Sequence, residues 1–138
     1  MSQDLQTRRR VPLWEWFVLP LAAAALTATA YLLWLGWHQL ENKSAYEPWQ
    51  VVGLALTLGL LVIAPTWRSA LLGLVCAAVV TVSLTVIWSW DAATTPTKDA
   101  NLWPIGAVFL FSGAFVGLTA TCGVTALIKA QMSRPRRA

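Results

Sequence analysis

Charge is the first thing this sequence lacks. Asp, Glu, Lys and Arg make up only 12% of its 138 residues, half the roughly 25% of an ordinary globular protein. Residues 17–37, 49–67, 69–90 and 103–128 contain no Asp, Glu, Lys, Arg or His at all. A water-soluble fold of this size needs a polar face on every element, and these runs have none. The same blank stretches argue against a proton relay or ion-coupled carrier inside the chain, because both depend on ionisable groups held in the membrane. With no histidine in them, they also argue against a haem ligated at mid-membrane.

Other scarcities narrow the chemistry further. Cys76 and Cys122 are the only cysteines, each inside an apolar run, with no CxxC and no metal-ligand spacing. A catalytic zinc normally takes several spaced ligands, and His38 is the only histidine; no metal or other cofactor is expected. The net charge of +4 does not come from a basic face with interleaved aromatics, so nucleic acid is not an expected partner. The arginines flank apolar spans, where topology and anionic lipid headgroups account for them. No motif names a reaction or a ligand.

What is abundant is apolar surface: 57% of residues are hydrophobic. The tract from Trp49 to Trp90 carries one charge, Arg68. At ~1.5 Å per residue it is far too long for one crossing of a ~30 Å hydrocarbon core. Split at Pro65-Thr66-Trp67-Arg68-Ser69, it becomes two spans joined by a tight turn, 49–67 and 69–90. A first span precedes them over 13–37, with Pro12 near its first turn. Pro20 lies inside it and is expected to kink it. Trp14 and Trp16 mark one interfacial belt, and Trp34 and Trp37 the other. The fourth span, 103–128, opens on Trp103-Pro104. The expected fold is therefore an all-α integral membrane protein, a four-transmembrane-helix bundle forming one domain over 1–138.

The basic residues divide cleanly between the two faces this model creates. Arg8, Arg9, Arg10, Arg68, Lys129, Arg134, Arg136 and Arg137 fall on one side; only Lys43 and Lys98 fall on the other. Lys and Arg are retained on the cytoplasmic side, so the expectation is a cell-membrane protein with both termini cytoplasmic. The bias is one-sided and no inverted repeat is evident, so a single orientation follows. A cleaved signal peptide is the competing reading of the N-terminus, with Arg8–Arg10, an apolar stretch and Ala28-Thr29-Ala30. Against it, Trp and Glu occupy the apolar stretch, which also continues beyond Ala30.

A few side chains merit individual weighing. Glu15, about one turn into the first span, reads as a carboxylate at headgroup level near Arg8–Arg10 or Arg68, favoured by the helix dipole. His38 and Glu41 share a helix face by spacing, and with Asp91 they form a speculative outer-face polar cluster. Cys76 and Cys122 fall at similar depth and read as packing residues; a disulfide is not expected next to a reducing cytoplasm. Thr27, Thr29, Thr81, Ser83 and Thr85 line a polar path in one reading and bond their own helices in the plainer one.

The best-defined pattern is in the fourth span, where Gly106, Gly113, Gly117, Thr121 and Thr125 recur at seven- and four-residue steps around a GxxxG. In lipid no hydrophobic force drives helices together, so packing comes from the close backbone approach that small residues allow. The stripe serves packing within the bundle in the plainer reading. In the sharper one it is a contact face for a second copy or another subunit. Ser69, Gly73, Ala77 and Thr81 form a lesser stripe in the third span.

The leading functional expectation is an accessory or scaffold subunit, not an enzyme, acting through helix–helix contacts. Its partners would be the lipid bilayer and either another membrane protein or itself. An oligomeric carrier or channel for a neutral or lipophilic solute is the alternative, and a membrane enzyme with a site around His38, Glu41 and Asp91 the third.

Overall fold

The computed structural model describes residues 12–36, 47–94 and 102–133. Four helices make up this part of the chain: α1 (Glu15–Trp34), α2 (Pro48–Arg68), α3 (Ala70–Thr94) and α4 (Trp103–Met132). All four are long and apolar enough to cross a membrane. Their starts carry ordinary N-terminal signals. Pro48 stands at the first helical position of α2, where a missing N–H costs nothing. Ahead of it, the backbone N–H of Glu47 donates to the Gln50 side chain at 3.0 Å, which is one half of a capping box. Pro104 likewise falls in the first turn of α4.

Two helices run a full turn past their expected ends, α3 to Thr94 instead of 90 and α4 to Met132 instead of 128. α2 runs through Pro65 to Arg68, and Ser69 alone separates it from α3. A proline forfeits its own N–H but keeps its carbonyl, and that carbonyl accepts from the Ser69 N–H at 3.0 Å. Ser69 is extended, with φ −151° and ψ 131°, and its own carbonyl accepts from the Gly73 N–H at 3.0 Å. One residue thus ends α2 and opens α3. α3 passes through Asp91 to Thr94, where the Thr94 hydroxyl donates back to the Trp90 carbonyl at 2.8 Å.

The four helices form a two-layer strip. Within the described residues α2 and α3 lie together in the middle, α1 packs on both from one side and α4 on both from the other, and α1 does not touch α4. α1 and α3 point the same way, since Tyr31 near the end of one meets Asp91 near the end of the other. α2 and α4 both run the opposite way, because Lys129 at the end of α4 reaches Trp67 at the end of α2. The start of α1 and the end of α4 therefore share one end of the bundle.

At the centre, Leu54, Leu58 and Val62 of α2 and Cys76, Ala77 and Val80 of α3 belong to one buried cluster. The approach of α2 to α3 is closest beside the reversal, where a Cβ on Gly73 would stand 2.8 Å from the Thr66 Cα. The small-residue stripe of the third span faces inward here: Gly73, Ala77 and Thr81 are all buried. Most buried hydroxyls bond back along their own helices; the Thr119 Oγ1 atom, also buried, has no partner among the described residues. Thr27 donates to the Ala23 carbonyl at 2.7 Å, Thr66 to Val62 at 2.7 Å and Thr81 to Ala77 at 2.9 Å.

Candidate functional site

Polar side chains gather at the two ends of the bundle, and α4 presents a bare face between them. At the end shared by the start of α1 and the end of α4, the Glu15 carboxylate lies 2.5 Å from Arg68 Nη1, the carboxylate nearly enclosed and the guanidinium mostly open. Of the partners the sequence offered Glu15, Arg68 is the one seen beside it, and Arg8–Arg10 lie outside the described residues. Lys129 donates from Nζ to the Trp67 carbonyl, one of the last carbonyls of α2, where a cation also opposes the negative end of the helix dipole. Two charged contacts thus tie α1 and α4, which do not touch each other, to the tip of α2.

The opposite end is held by aromatics. The Tyr31 hydroxyl donates to Asp91 Oδ2 at 3.0 Å. Trp34 donates from Nε1 to the Thr57 hydroxyl oxygen at 3.1 Å, its ring edge-on to Trp49 with centroids 6.0 Å apart. The Trp34 ring lies against Gly53 so closely that a Cβ there would sit 2.5 Å from it. In the same way Trp88 covers Gly106, at 2.7 Å from a hypothetical Cβ. Of the speculative outer cluster, His38 and Glu41 lie outside the described residues, and Asp91 is engaged by Tyr31. Among the described residues no three His, Cys, Asp or Glu side chains are grouped as metal ligands would be.

The cysteines occupy the interior. Cys76 and Cys122 are both buried, both free, and members of the same cluster, with Cys122 Sγ 3.4 Å from Thr66 Oγ1. Of the hydroxyls weighed as a polar path, Thr27, Thr29, Thr81 and Thr85 each donate to the carbonyl four residues back.

The α4 stripe divides. Gly106 packs inside the bundle under Trp88, whereas Gly113 and Gly117 have nothing within 4 Å of where a Cβ would stand. Both are exposed, and the side of α4 turned to the bundle is instead Leu118, Cys122 and Thr125. Thr121, next along the stripe, donates its hydroxyl to the Gly117 carbonyl at 2.9 Å, which uses its one donor within the helix. Packing within the chain, the plainer reading of this GxxxG, is found at Gly106 and not at Gly113 or Gly117. The anchors Tyr31, Gly53 and Thr57 were not singled out by sequence; their one signal is a tryptophan closing a span followed by a glycine in the first turns of the next. Comparison of the chain with protein-family models, with curated proteins and with solved structures finds no match.

Proposed function

We propose that this chain is an accessory or scaffold subunit of the cell membrane that works through helix–helix contacts made by the outward face of α4. The observation that carries the reading is the open space over Gly113 and Gly117. Two glycines one turn apart leave a strip of bare backbone on the outside of the bundle, where another helix gains close van der Waals contact that a leucine-covered face does not offer. The distribution of Lys and Arg supports a cell-membrane setting with both termini in the cytoplasm. The reading assigns the chain no reaction and no cofactor.

The test is the double substitution Gly113→Leu with Gly117→Leu in the full chain, extracted in mild detergent. The expected result is loss of the associated species while helicity and melting are retained, since neither position touches the rest of the bundle. An association profile identical to that of the unsubstituted chain overturns the reading.

A further inference from the structure

The two halves of the strip repeat each other. Thr27 and Thr81 are both fully buried, and each donates to an alanine carbonyl four residues back, Ala23 and Ala77. Trp34 of α1 covers Gly53 of α2, and Trp88 of α3 covers Gly106 of α4. Trp49 and Trp103 stand in the first turns of α2 and α4. Ala23 and Ala77, Thr27 and Thr81, Trp34 and Trp88, and Trp49 and Trp103 are each 54 positions apart. The hairpin α1–α2 and the hairpin α3–α4 are thus one design used twice in the same orientation, a parallel repeat.

The repeat exposes a mismatch between equivalent faces. On α2, Leu54, Leu58, Val62 and Thr66 form a buried stripe. Their counterparts 54 positions on are Val108, Ser112, Val116 and Ala120 of α4, and all four are exposed. On α3, Leu72, Cys76 and Val80 are buried, while their counterparts Val18, Ala22 and Leu26 of α1 are exposed or nearly so. The seam between α2 and α3 is closed inside the chain; the equivalent faces of α4 and α1 are the two open ends of the strip.

We propose that a second copy of this chain continues the strip, its α1 packing on α4 of the first copy as α3 packs on α2. The inference rests on the reading of α4 as a contact face and names the partner. It continues an interface already present: α2 and α3 run antiparallel, and so do α4 and the next copy's α1 when both copies hold the same membrane orientation. The register of Thr66 against Gly73, carried over by the repeat, brings Val116 beside Ala22 of the next copy. Val18 then falls near Ala120 and Leu26 near Ser112, with Gly113 and Gly117 at the rim of the contact, since Gly59, the counterpart of Gly113, has nothing within 4 Å of where a Cβ would stand. Such a head-to-tail contact closes into a ring or runs on as a row.

Two full-length chains with different tags, one carrying Ala22→Cys and the other Val116→Cys, are reconstituted together in phospholipid vesicles and oxidised with copper phenanthroline. Both positions face outward, so the fold is retained, which circular dichroism checks. The expected result is a disulfide-linked mixed dimer from the pair and none beyond the wild-type background from either variant alone. A dimer formed by Val116→Cys alone means α4 pairs with α4 and overturns the head-to-tail arrangement. Absence of any mixed dimer also overturns it. If Gly113→Leu with Gly117→Leu still abolishes association in that case, the partner is a different chain and the contact face itself stands; if that pair has no effect either, both fall.

Discussion

Gly73 and Gly117 are both glycines in apolar helices of the same chain, and the structure assigns opposite signs to the same substitution at the two. An alanine at 73 places its Cβ 2.8 Å from the Thr66 Cα. The clash is with backbone, which no rotamer change relieves, and Ser69 alone joins the two helices, so they have little freedom to part. Overpacking of this kind costs about 1–3 kcal/mol, against a gain of up to about 1 kcal/mol from replacing glycine in a helix. The net expectation for Gly73→Ala is a loss of about 1–2 kcal/mol. Gly117→Ala meets nothing within 4 Å and keeps only the helix gain, between zero and about 1 kcal/mol. Reversible unfolding in mixed SDS micelles, followed by tryptophan fluorescence and far-ultraviolet circular dichroism, measures both, with the Gly117 variant read under conditions that keep the chain monomeric. If Gly73→Ala proves as stable as Gly117→Ala, the close packing of α2 on α3 is wrong.

The ion pair at the shared end predicts an asymmetry: Arg68→Gln strands the nearly enclosed Glu15 carboxylate and costs about 1–3 kcal/mol, whereas Glu15→Gln leaves an open guanidinium and costs less than about 1 kcal/mol. The same unfolding measurement ranks them, and equal losses refute the burial assigned to Glu15. For sidedness, a reporter fused after Ala138 and one inserted beside Pro96 are expected in opposite compartments, the first cytoplasmic; finding both in one compartment removes the four-span topology.

The four helices were legible because each is a long apolar run, punctuated by charge and framed by tryptophan, the pattern of a helix long and apolar enough to cross a membrane. Which way each helix faces was not. A helix in water shows its interior by where polar residues stop, but here every face is apolar, and lipid tails resemble leucine as much as a neighbouring helix does. The two small-residue stripes looked alike in sequence, yet Gly73, Ala77 and Thr81 point into the bundle while Gly113 and Gly117 point away. Pro65 does not end its helix: it sits in the last turn of α2, where a proline removes only one hydrogen bond, so it marks the neighbourhood of the reversal and not its residue. The polar anchors were partly readable: Glu15 found Arg68, whereas nothing in the spacing announced that Tyr31 would reach Asp91 across sixty residues.

A reversal made by one extended residue leaves no slack between the two helices it joins. With Ser69 alone between Arg68 and Ala70, and Gly73 backed against the Thr66 backbone, neither α2 nor α3 can slide or swing without carrying the other. The central pair therefore moves as one lever, and any displacement of α1 or α4 is taken against both of its helices at once.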